Sequence, residues 1–230
     1  MRAVQDWLQQ LNWQTLLDLA ITVTAALLCI TFHETCHGLA ALCLGDPTAK
    51  RAKRLSLNPL RHVDWMGLVM LALVKFGWAK PVPVDPRYFK HPKLGMALTA
   101  LAGPAGNVLL AYLGLIGYYA AAAAHMLTAS SVAVGFAQFF VTLAVVSAGL
   151  AVFNLFPVPP LDGSKVLFSV LPDRAYFTLM RYERYGSLLL IALLLTGVLN
   201  TPLGFLRSGL LDLLDPAAHW AYTLSMQIFS

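Results

Sequence analysis

The sequence predicts an all-α polytopic membrane protein of about four transmembrane helices, with a small re-entrant β-hairpin or sheet at the cytoplasmic side. Three observations carry that expectation. The 230 residues are 58% hydrophobic and only 12% charged, with a mean hydropathy of +0.68, whereas a globular domain carries about 25% charge. Apolar segments of spanning length recur along the chain, broken by Pro- and Gly-containing stretches. Ten of the sixteen Lys and Arg fall between Lys50 and Lys93, which marks a cytoplasmic loop by the positive-inside rule. That placement argues for contact with the lipid bilayer and against a nucleic-acid partner, and the composition leaves no room for a sizeable soluble domain.

Residues 1–15, with Trp7 and Trp13, read as an amphipathic helix at the membrane interface, where Trp is favoured. They lack the basic start and apolar core of a signal peptide. Residues 16–171 read as the transmembrane core. Leu16–Leu44 is the first span, ended by Gly45-Asp46-Pro47 and followed by Lys50-Arg51-Ala52-Lys53-Arg54, so this end faces the cytoplasm. Met66–Val74 is apolar but nine residues long, too short for a helix that needs about 20 to span. The prolines of Pro81-Val82-Pro83 forbid a helix and suit an edge strand, so residues 66–84 read as a re-entrant β segment able to dock an extended peptide, with an ordinary interfacial loop as the equal alternative. Leu94–Ala124 is the second span and Val132–Phe156 the third. Three prolines within Pro157-Val158-Pro159-Pro160 then unwind the chain before a short helix over Ser164–Leu171. Residues 172–230 read as C-terminal transmembrane and interfacial helices: Tyr185–Leu199 is a fourth span, and Leu203–Leu214 is interfacial at best.

The chemistry concentrates in the first span, at His33-Glu34-Thr35-Cys36-His37. Residues four apart share a helix face, so His33 and His37 can hold one metal ion, and Glu34 beside that face can accept a proton from an attacking water. The competing reading is a hydrogen-bonded histidine pair in a packed core. Two His and one Glu inside an apolar segment weigh against it, because each needs a polar partner in hydrocarbon. A catalytic zinc site has three protein ligands. The candidate third is Asp162, the sole acidic residue between Lys93 and Leu171; its alternative role is to cap the helix that follows. Asn107, near the cytoplasmic end of the second span, could donate to a developing oxyanion or hydrogen-bond between helices. Cys29, Cys36 and Cys43 recur every seven residues; neighbours in that series lie about 10 Å apart along a helix, too far for a disulfide. They read as packing residues. His62, Asp64 and His91 read as solvated loop residues, and Asp46 and Asp85 as turn residues before prolines.

Taken together, five segments in order resemble the site-2 protease family of intramembrane zinc metalloproteases in its short prokaryotic form. They are His33–His37, Leu57–Gly67, Phe76–Val84, Gly103-Pro104-Ala105-Gly106-Asn107, and Asn154–Gly163. The resemblance implies one zinc ion per chain, held by His33, His37 and Asp162, with Glu34 as the catalytic base. It also implies substrate binding by Asn107, by Gly77, Trp78, Ala79 and Lys80 of the β segment, and by Asn154 of the proline break. The expected partner is a transmembrane protein, such as a single-span anti-sigma factor or similar regulator. The expected location is the cell (inner) membrane, multi-pass, with the active site towards the cytoplasmic half. Two departures from the family pattern are expected: no inserted soluble peptide-binding domain, and no spanning helix before the zinc helix, which some members have. A rival of another class is a cation or proton transporter using intramembrane His and Asp. Glu34 between two histidines favours hydrolysis, since transport needs no base there.

Overall fold

The computed structural model describes residues 12–64 and 80–229. Helix α1 (Trp13–Cys43) opens at Asn12, whose side chain accepts from the N–H groups of Gln14 and Thr15, the usual way of satisfying the free donors of a first turn. Trp13 therefore begins the spanning helix; residues 1–11 of the expected interfacial helix lie outside the described residues. The helix stops at Gly45, whose φ of +102° is open to glycine alone without strain. A short helix, α2 (Thr48–Arg51), follows, with single 3-10 turns at Pro59–Arg61 and Pro86–Tyr88.

Helices α3 (Pro92–Thr128) and α4 (Ser131–Asn154) form a long antiparallel pair against α1. After the proline break come α5 (Asp162–Ser169), α6 (Asp173–Leu195), α7 (Asn200–Ala218) and α8 (Trp220–Phe229). Helices α1, α3 and α4 are each long and apolar enough to cross a membrane. The segment Tyr185–Leu195 and the segment Asn200–Ile228 are bent by 89° at their junction and add a fourth crossing if counted as one broken span. The chain is thus a multi-pass membrane protein.

Polarity is turned inside out along α1. Leu16, Leu17, Leu19 and Val23 are exposed, whereas Thr31, His33, Thr35 and His37 are buried. Lipid accepts the leucines without cost, while the polar groups find their partners only towards other helices. The same logic explains the small residues at helix contacts: Ala25 and Cys29 pack against Leu143, and Ala144 packs with Leu115 and Ala218. A third cluster, Leu161, Leu190 and Leu199 with Phe153 and Phe156, anchors the proline break against α6 and the start of α7.

One expectation is corrected. No strand occurs among the described residues, so the β-hairpin over 66–84 is not supported; residues 65–79 lie outside them, and 80–85 form no strand. The reason is local: Pro81 and Pro83 have no N–H, and the N–H groups of Val82 and Asp85 donate to the side chains of Glu34 and Asp46 instead of a neighbouring strand. The C-terminal residues are held to the bundle by packing. Leu211, Leu214 and Ala218 pack against α3, where the Tyr119 hydroxyl donates to Asp215 Oδ1 at 2.6 Å.

Candidate metal centre and active-site cavity

Two helices, α1 and α5, bring the candidate ligands together. His33 and His37, one turn apart on α1, lie edge to face with ring centroids 4.4 Å apart, and their Nε2 atoms are 2.9 Å apart. Asp162, the first residue of α5, places Oδ2 at 3.2 Å from His33 Nε2 and 3.1 Å from His37 Nε2. All three side chains are buried. The capping position before α5 is Leu161 and shows no side-chain cap, so the Asp162 carboxylate faces the imidazoles and not its own helix.

The far side of His37 decides what its near side offers. His37 Nδ1 lies 2.7 Å from the Thr99 carbonyl oxygen, which can only accept, so Nδ1 carries the hydrogen and Nε2 presents a lone pair. That lone pair, a second imidazole nitrogen and a carboxylate oxygen converge on one point. A divalent cation satisfies all three at once, and no other ligand set of His, Cys, Asp and Glu is gathered this way among the described residues. The donor separations also fit: ligands about 2.0–2.1 Å from a tetrahedral zinc lie about 3.3 Å from one another. Two imidazoles and one carboxylate, with a fourth position open, is a known catalytic zinc set.

Helix α3 approaches this cluster closely because it is bare there. A Cβ on Gly103 would collide with the rings of both His37 and His33. One turn on, Asn107 is fully buried and sets its amide 3.3 Å from His33 Nδ1, behind the ring and away from the cavity wall.

A cavity of about 420 Å³ opens on the cluster. Its walls include Glu34, Val82, Val84, Met96, Asn154 and Lys165. Glu34 Oε2 accepts from Val82 N–H at 2.9 Å. Lys165 Nζ lies 3.9 Å from Asp162 Oδ1. Asn154 lines the cavity while its amide donates to Leu150 O at 2.9 Å.

The extended wall, residues 80–85, is held at several points. Arg54 donates to the carbonyls of Lys80 and Pro81, each at 3.2 Å. Lys80 N–H donates to His62 O at 2.9 Å. Asp46, fully buried, accepts from Asp85 N–H at 2.7 Å and from Thr48 N–H at 2.8 Å. Asp85 in turn caps the 3-10 turn and pairs with Arg87, whose guanidinium holds its carboxyl below the usual carboxylate range.

Of the residues expected at the site, His33, Glu34, His37, Asp162 and Asn154 meet at one cavity. Lys80 is exposed on the other face of the wall, beside Arg54 and Arg61. Gly77, Trp78 and Ala79 lie outside the described residues. Asp46, expected as a turn residue, is a buried anchor of the wall, and Lys165, three residues from Asp162 on the same helix, lines the cavity. His62 is 1% exposed, not solvated, with Nε2 at 2.8 Å from Ser56 O.

Comparison with known proteins agrees with this chemistry. The sequence profile described as "Peptidase family M50" matches residues 116–197. The protein named "Putative zinc metalloprotease YwhC" of Bacillus subtilis is 35% identical over 174 residues, covering 76% of this chain and 80% of that protein. "Putative zinc metalloprotease Rip2" of Mycolicibacterium smegmatis is 31% identical over 189 residues, covering 78% of this chain and 68% of that protein. No solved structure matches the chain. Relatives this similar over most of their length leave one conclusion: the chain belongs to peptidase family M50.

Proposed function

We propose that this protein hydrolyses peptide bonds within or near the transmembrane segments of other membrane proteins, with zinc held by His33, His37 and Asp162 and with Glu34 as the base. It is a zinc metalloprotease, as its family requires. The observation that carries the site assignment is the convergence of His33 Nε2, His37 Nε2 and Asp162 Oδ2 within hydrogen-bond distance, beside the Glu34 carboxylate, in a cavity reached from buried helices.

When bound, zinc polarises the scissile carbonyl and makes water acidic enough to attack near neutral pH. Glu34 takes the proton of the attacking water and delivers it to the departing amine. Thr99, through its carbonyl, keeps the hydrogen of His37 on Nδ1 and its Nε2 free to coordinate. Lys165 places a cation near the carboxylate ligand and the cavity, where it can steady developing negative charge. A substrate helix hides its carbonyls in its own hydrogen bonds, so it must unwind before it reacts. The extended wall at Val82–Val84 offers backbone groups against which an unwound segment can lie. The Asn154 amide at the cavity wall is placed to contact that segment.

The substrate class is a membrane-spanning regulator, such as an anti-sigma factor with one span, cleaved in the cell (inner) membrane. The basic stretch Lys50–Arg54 directly after α1 supports a site in the cytoplasmic half of the bilayer. Family membership gives no support to the transporter alternative.

The test is to co-express wild-type and Glu34→Gln protein with single-span membrane proteins and compare the membrane proteomes. Fragments that appear with wild type and vanish with Glu34→Gln support the reading. Undiminished cleavage by Glu34→Gln overturns the assignment of the base.

A further inference from the structure

We infer that Asn107 is a positioning residue for the metal centre: its amide oxygen accepts the Nδ1 hydrogen of His33 and so fixes the tautomer in which His33 Nε2 can bind the metal. The inference rests on the zinc reading above and goes beyond it, since Asn107 was expected to contact substrate.

Asn107 is 0% exposed, so no solvent competes for its amide. The amide nitrogen lies 3.3 Å from His33 Nδ1, while the amide oxygen is buried with no donor among the described residues. With the nitrogen donating, Nδ1 of a neutral His33 must accept, and its one hydrogen sits on Nε2. That atom faces His37 Nε2 at 2.9 Å and Asp162 Oδ2 at 3.2 Å. A hydrogen there blocks coordination. The two ends of a carboxamide have nearly the same shape, and half a turn about its last bond exchanges them. After that exchange the oxygen, formerly without a partner, accepts from His33 Nδ1–H, and Nε2 presents its lone pair to the cluster.

The result matches the other histidine. His37 already gives its Nδ1 hydrogen to Thr99 O at 2.7 Å. Both orienting groups come from α3, eight residues apart and on either side of Gly103, the residue whose missing side chain lets α3 reach the rings. Helix α3 thus sets both tautomers from behind. The Asn107 backbone is itself fixed to α4, where Ser147 Oγ donates to Asn107 O at 2.9 Å. Outer partners of this kind commonly change metal affinity about 10–100-fold when removed.

The test uses the purified full chain, wild type and two variants, each stripped with chelator and titrated with zinc against a competing chromophoric chelator. Asn107→Leu, which fills similar space without an acceptor, is expected to bind zinc about 10–100-fold more weakly. Asn107→Asp, which keeps an acceptor for Nδ1–H, is expected to stay near the wild-type affinity. Thermal unfolding of the stripped proteins separates this from a loss of fold. Wild-type affinity in Asn107→Leu, or a loss in Asn107→Asp as large as in Asn107→Leu, overturns the inference. Should Asn107→Leu fail to fold, Asn107→Ala takes its place with the same expected loss, and wild-type affinity in Asn107→Ala overturns the inference. One zinc bound by wild type and both variants alike overturns the role of Asn107 and leaves the metal centre standing. No zinc in the wild type overturns both.

Discussion

Glu34 Oε2 and Val82 N–H are joined by a 2.9 Å hydrogen bond that links the zinc-motif helix to the extended wall of the cavity. The bond orients a carboxylate that would otherwise swing freely, and it leaves Oε1 for other work. It also couples the wall to the Glu34 carboxylate, since Val82 lies between prolines that stiffen the segment on either side.

Removing that donor gives the first prediction. Val82→Pro keeps an apolar residue in an extended, proline-rich stretch but has no N–H. A hydrogen bond to a charged group contributes about 1.5–3 kcal/mol. Cleavage of a membrane-protein substrate is expected to fall by about tenfold or more, on the scale of 1.4 kcal/mol per decade, with zinc content unchanged. Full activity in Val82→Pro, measured beside metal analysis, shows that Glu34 does not depend on the wall.

Metal removal gives the second. Chelation is expected to abolish cleavage and zinc to restore it. Zinc bound only to the folded chain stabilises it by about 2.7 kcal/mol at a hundredfold excess over Kd, so thermal unfolding in detergent should shift down on chelation. His33→Ala and Asp162→Ala should each lower the zinc content from one per chain and lose that shift. A chelator-induced shift of wild-type size in either variant removes that residue from the ligand set.

Gly103→Ala is the third. The added Cβ collides with the rings of His33 and His37, and overpacking of this kind costs about 1–3 kcal/mol. Because the displaced groups are the imidazoles, the main effect is expected on zinc affinity, read by chelator competition, with a smaller fall in apo-protein stability. Unchanged affinity and stability together show that α3 can retreat, which the close packing of α3 on α1 opposes.

Asp46→Ala is the fourth. It strips the acceptor from the N–H groups of Asp85 and Thr48 at a fully buried site. Unsatisfied buried donors cost about 1–3 kcal/mol, so the unfolding midpoint should fall. Cleavage should fall further than zinc content, because the freed segment is the wall of the cavity and not its metal centre. Equal loss of zinc and cleavage points to a general collapse instead.

The sequence alone determined the apolar spans and the pairing of His33 with His37, because both follow from helix period and from the cost of burying polar groups in lipid. It also offered Asp162 as the carboxylate candidate, since so few acidic residues occur in the apolar part of the chain. The family followed from short motifs read in order. Only the tertiary structure decided where those groups meet. The approach of Asp162 to the imidazoles depends on how the proline break folds back against α6, through Leu161, Leu190 and Leu199. The placing of Asn107 behind His33, and not at the cavity wall, depends on the rotation of α3 about its own axis. The burial of Asp46 depends on a segment 39 residues away closing onto it. Local sequence encodes which residues are costly in lipid; which partner relieves each cost is a property of the packed helices, because those contacts join positions far apart along the chain.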